Sequence, residues 1–196
     1  MGLPLPDPWH AYYQLCLFGS NDQIVKEAEA LVAKDPLSVE ALVHLSRTYL
    51  YSRRYDNVIK NGNKALEISP GQSSILRHIG EAYLFSSKPD LALPYFEKLM
   101  EKDPRYTPCD FIAAHIRLGN KMIAREKFGE LKDSISSTVR AICHLYFGET
   151  DEAFNSLNKA FSERDVFLVR IKIDPHFDAI RSDPRYLEIL KKMRFP

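Results

Sequence analysis

The sequence predicts an all-α fold, a solenoid of antiparallel helical hairpins closed by capping helices at its C-terminal end. Three observations carry this. Prolines recur at an interval of 34 residues, at Pro36 in AKDP, Pro70 in EISP and Pro104 in EKDP. The residues between them fall into columns of like size. Within each interval, apolar positions recur at helical spacing.

The columns follow from what two packed helices need. Ile24, Val58 and Ala92 share one position, Leu31, Ala65 and Leu99 another, and Leu15, Tyr49 and Tyr83 a third. Ala11, Leu45 and Ile79, each followed by Tyr12, Ser46 or Gly80, precede that third column by four residues. Small residues at Gly80 and Ala92 let helix axes approach, and Tyr83 and Phe96 fill the space beside them. Proline has no N–H and clashes with the turn before it, so each unit ends there. The Asp before it caps the next segment or turns the chain. In the second helices, Val58, Ile59, Ala65, Leu66 and Ile68, and then Leu91, Ala92, Tyr95, Phe96, Leu99 and Met100, form the apolar stripe.

This pattern resembles the tetratricopeptide repeat, most closely at Leu76, Ile79, Gly80, Tyr83, Ala92, Phe96 and Pro104. The resemblance implies a right-handed superhelix of helix-turn-helix units, approximately 5–38, 39–72, 73–104, 105–133 and 134–162, in one array over 1–196. The last two units are shortened and lack the closing proline. Leu118-Gly119 and Phe147-Gly148 mark their turns, Ala124, Phe128 and Leu131, then Ala153, Leu157 and Ala160, fill their second helices, and His115 and His144 replace the aromatic column, packed between helices. Segment 163–196 reads as the cap. Asp183 followed by Pro184 starts a helix with the apolar face Tyr186, Leu187, Ile189, Leu190 and Met193. The C-terminal part also resembles tetratricopeptide domains of bacterial signalling and regulatory proteins.

Composition excludes several functions. There are 27 Lys and Arg against 26 Asp and Glu, so no global field favours nucleic acid or an anionic membrane. No run of 18 apolar residues offers a membrane span. The first residues do not read as a signal peptide, and Pro6 stands where a myristoylation signal needs Ser or Thr. Cytoplasmic location follows by elimination. Cys16, Cys109 and Cys143 are scattered and odd in number, which reads as apolar packing in a reducing compartment, with Cys109 in its Pro-flanked stretch the most exposed. No phosphate-cradling, zinc-protease or nucleophile-elbow motif occurs. His44 and His78, 34 apart, stack in one column and are too far apart to share a metal. Glu81 and Asp110 have no evident partner. The expectation is therefore no catalysis, no cofactor and no metal.

The resemblance places function on the concave side, lined by the first helix of each unit. Its groove-facing positions are Trp9, Tyr13, Arg47, Tyr51, Arg77, Glu81, Phe85 and Arg117. Arg and aromatic side chains are those that most often dominate interfaces. Chaperone-binding members carry a Lys/Asn/Arg clamp, and here those positions hold Trp9, Tyr13, His44, Ser74 and His78. The expected partner is thus a protein or peptide other than a chaperone's carboxylate tail, taken as an extended segment or amphipathic helix. The alternative is a self-association module of a larger bacterial signalling or transcription-regulatory protein, in which the groove or a terminal hairpin docks another copy, the Pro-rich start, residues 3–9, being a segment that a neighbour's groove could take.

Overall fold

A computed structural model describes residues 8–19, 22–103, 106 and 108–195, with side chains from residue 12 onward. The chain runs through α1 (Pro8–Phe18), α2 (Asp22–Lys34), α3 (Val39–Tyr51), α4 (Tyr55–Ile68), α5 (Ser73–Phe85) and α6 (Pro89–Lys102). It continues through α7 (Pro108–Arg117), α8 (Lys121–Leu131), α9 (Ser137–Phe147) and α10 (Thr150–Ser162). Two short 3₁₀ turns, Val166–Arg170 and Pro175–Ile180, lead to α11 (Pro184–Met193).

Successive pairs α1–α2 to α9–α10 pack as hairpins, so the two shortened units keep the hairpin form. The odd-numbered helices also pack on one another, α1 on α3, α3 on α5, α5 on α7 and α7 on α9. They therefore form the inner layer, and the even-numbered helices the outer one. Pro104 and residues 1–7 lie outside the described residues.

Close approach between layers is set by small residues. A Cβ on Gly80 would sit 2.5 Å from the Phe96 ring, so only glycine lets α5 meet α6 there. Gly62 does the same for Ile79 across α4 and α5, a contact the repeat columns did not single out. Phe96, Val58, Ala65, Ala92 and Leu99 are buried, as the columns require.

The hairpin turns repeat as well. The left-handed backbone position falls at Gly19, Arg53 and Ser87, each 34 residues on, and again at Gly119 and Gly148. Asp35 turns the chain by accepting from the Leu37 N–H at 3.2 Å, while Ser38 caps α3 through the Ala41 N–H. Asp183 caps α11, accepting from the Arg185 N–H at 2.9 Å, with Pro184 in the first turn.

The C-terminal segment divides in two. Helix α11 lies on α10 at the end of the stack. The stretch before it, through both 3₁₀ turns, runs back against the inner layer. Ile173 joins the apolar cluster of Leu15, Cys16, Tyr51 and Ala82, and Phe177 and Ile180 join that of Ile112 and Ile142.

Candidate functional site: a concave face filled by its own chain

Segment 165–181 touches every odd-numbered helix or its end. Lys172 Nζ donates to the Leu17 carbonyl of α1 at 2.7 Å. Asp178 accepts from Arg53, at the α3–α4 turn, at 2.8 Å. The His176 ring meets Phe85 of α5 edge-on, with centroids 4.8 Å apart. His176 Nε2 lies 2.9 Å from Asp110 Oδ1 of α7, and its Nδ1 lies 2.9 Å from Tyr146 Oη of α9. Asp165 also accepts from the Thr138 N–H of α9, and the segment is braced internally by Arg181 Nη1, which donates to the Lys172 carbonyl.

The buried floor of this interface is charged. Arg170 pairs with Asp174 one turn on at 3.1 Å, and Arg77 with Glu81 on α5 at 3.7 Å. Burial pushes the Glu81 carboxyl up to about 7, with Arg77 opposing. Burial also raises Asp110, but the His176 hydrogen bond and charge win and hold it below its ordinary value. His176 is disfavoured as a cation by burial, yet Asp174 and Asp110 keep its affinity for protons above normal. Both imidazolium N–H groups then have acceptors, Asp110 and Tyr146.

The predicted groove residues are distributed as follows. Arg47, Tyr51 and Arg77 line one cleft of about 240 Å³, roofed by Phe167 and Arg170. Phe85 and Arg117 line another of about 310 Å³, with Pro175, His176 and Asp178 as its other wall. Arg47 lies over the Tyr12 ring at 4.4 Å and contacts the His44 ring nitrogen. Arg117 donates to the Leu84 carbonyl and lies over the Tyr146 ring. Tyr51 is buried, and Glu81 is buried outside both clefts. Tyr13 is 53% exposed and lines neither. The side chain of Trp9 lies outside the described residues.

Three expectations are corrected. Cys109 is only 5% exposed, because α9 and the returning segment close over the first turn of α7. Glu81 and Asp110 do have partners, Arg77 and His176, the second supplied from 66 residues away. His115 and His144 are packed as expected, edge-on to Phe111 and Phe128. Sequence reasoning missed Arg53, Lys172 and the Arg170–Asp178 stretch. The one available signal was the density of buried apolar residues, Leu168, Ile171, Ile173 and Phe177, too great for a cap with a polar outer side.

A stack of five two-helix units whose first helices form a continuous inner face defines a tetratricopeptide solenoid, and the chain has that fold. Among solved structures, it is similar to TTC0263, a thermophilic tetratricopeptide protein of Thermus thermophilus, at 21% identity, over 94% of this chain and 97% of that one, with a TM-score of 0.64. It is also similar to MamA (AMB-1) at 20% identity, over 81% of this chain and 95% of that one, TM-score 0.52, and to MamA (MSR-1) at 21%, over 82% and 99%, TM-score 0.51. No protein-family profile and no curated protein sequence matches the chain. Among the described residues, no helix is long and apolar enough to cross a membrane.

Proposed function

We propose that the chain is a non-enzymatic protein-interaction scaffold whose concave face holds an extended partner segment, in the place that its own segment 165–181 fills in this structure. The observation that carries the reading is the seated segment itself. It supplies apolar, basic and acidic side chains to five successive inner helices, as a peptide guest would. Arg47, Arg77 and Arg117, which line the inner-helix side of the clefts that the segment closes, would face a guest seated in its place. A partner must displace the resident segment, so its apparent affinity is lowered by the fraction of molecules that are closed.

The test is performed in trans. A fluorescent peptide of residues 163–183 is titrated into the full chain and into a full chain carrying Lys172→Ala and Asp178→Lys. Both substitutions weaken the resident segment and leave the inner helices intact. The expected result is binding at least about tenfold tighter to the variant, since less of it is self-occupied. The same peptide carrying Asp178→Lys loses the Arg53 contact and binds more weakly. Absent binding to the variant, or equal binding to both chains, overturns the reading.

A further inference from the structure

Where the returning segment crosses α7, three different donor atoms converge. Cys109 Sγ, an Asp110 carboxylate oxygen and a His176 ring nitrogen all lie within 4.8 Å of one another, and all three residues are buried. We propose that Cys109, Asp110 and His176 form a Zn²⁺ site that ties the returning segment to the inner layer.

The donor chemistry selects the ion. A mixed set of thiolate, imidazole and carboxylate suits zinc, whereas all-oxygen sets suit calcium or magnesium. Three protein ligands leave a fourth position for water. Cys109 and Asp110 form part of the wall of a cleft of about 370 Å³, which gives the ion and that water a way in. Tetrahedral zinc holds its donors roughly 3.3–3.8 Å apart, given metal–ligand bonds of about 2.0–2.3 Å. Asp110 Oδ1 and His176 Nε2, now 2.9 Å apart, must therefore open by about 0.5 Å, and no donor in the cluster has to close by more than about 1.5 Å, movements within reach of side-chain rotation.

The surroundings fit as well. A zinc-bound histidine gives its second ring N–H to an acceptor that fixes the ring, and Tyr146 Oη lies 2.9 Å from His176 Nδ1. The nearby cations Arg77 and Arg170 are paired with Glu81 and Asp174. Binding is balanced in charge. Zinc takes a thiolate and a neutral imidazole, so the Cys109 proton and the proton shared between His176 and Asp110 leave as two positive charges arrive.

The test uses the full chain and Co²⁺ alone, which occupies tetrahedral zinc sites and absorbs visible light there. One equivalent is expected to produce visible bands together with a near-ultraviolet thiolate charge-transfer band, both removed by added Zn²⁺. Cys109→Ser abolishes the near-ultraviolet band, while Cys143→Ser, also a buried thiol, retains it. Asp110→Asn, which preserves shape, and His176→Gln weaken Co²⁺ at least about 100-fold, the upper end of what losing an outer partner costs. Tyr146→Phe weakens it about tenfold. A chain that gives no saturable absorption, or an unchanged near-ultraviolet band in Cys109→Ser, overturns the site. The readout is the metal's own spectrum, so it stands apart from peptide binding to the concave face.

Discussion

The hairpin layers and the segment that fills their concave face are held by different forces. Between the helices of a hairpin the contact is apolar, with Phe96 against Gly80 and Val58, Ala65 and Ala92 fully buried. Such packing gains free energy in proportion to area and holds one geometry. Between the segment and the inner helices much of the contact is ionic, Arg53 with Asp178 and Asp110 with His176, and the Arg170–Asp174 pair lies within the segment itself. Removing paired charges from water costs nearly what their attraction returns, so such an interface specifies position more than it adds stability. One region is built from apolar packing repeated in every unit, and the other from contacts that each occur once.

The largest effect should come from breaking the scaffold. Phe96→Ala removes a fully buried ring from the α5–α6 contact, where Gly80 leaves no side chain to collapse into the gap. The expected loss is about 3–5 kcal/mol, measured by urea unfolding with the slope unchanged. A loss below about 1 kcal/mol would mean that the hairpin layers are no more tightly specified than the segment.

The same division explains what was legible in the sequence. The hairpins repeat, so each column is read several times, and Gly80, Ala92 and Phe96 could be placed without coordinates. The concave filling happens once. Arg53 meets Asp178 across 125 residues, and Lys172 meets Leu17 across 155, and no period links them. Cys109 looked exposed because its own neighbours are polar, and what buries it comes from elsewhere in the chain. The eight groove positions were assigned from the repeat register alone, which carries no information about an occupant supplied by the same chain.

A smaller effect should separate the two regions by pH. Glu81 faces Arg77 on its own helix, Tyr51 from α3, Asp110 from α7, and Asp174 and His176 from the returning segment. Burial raises its folded carboxyl to about 7 from an unfolded 4.5, so between those values the folded state holds more proton than the unfolded one. Stability contributed by protonated Glu81 is therefore present at low pH and lost as pH rises through about 7. Glu81→Gln should flatten the fall in melting temperature over that window relative to the unaltered chain. Equal slopes in the two would place Glu81 in contact with water and remove it from the buried floor.

The smallest effect tests the comparison at two equivalent turns. Ser87 and Arg53 both hold the left-handed backbone position, with φ of 61° in each, where Gly19, Gly119 and Gly148 stand in the other hairpins. That conformation costs a side-chain-bearing residue about 1–2 kcal/mol, and glycine returns about 0.5–1 of it as lost chain entropy. Ser87 is exposed, so Ser87→Gly should stabilise the chain by about 0.5–1 kcal/mol in urea unfolding. Arg53→Gly relieves the same strain but removes the ion pair with Asp178, a partly exposed contact worth about 1 kcal/mol or less. Its net effect on global stability should be close to zero, with faster amide exchange confined to 166–180. If Arg53→Gly stabilised the chain as much as Ser87→Gly and left that exchange unchanged, the ion pair would not hold the segment, and the strain at Arg53 would have no counterpart in binding.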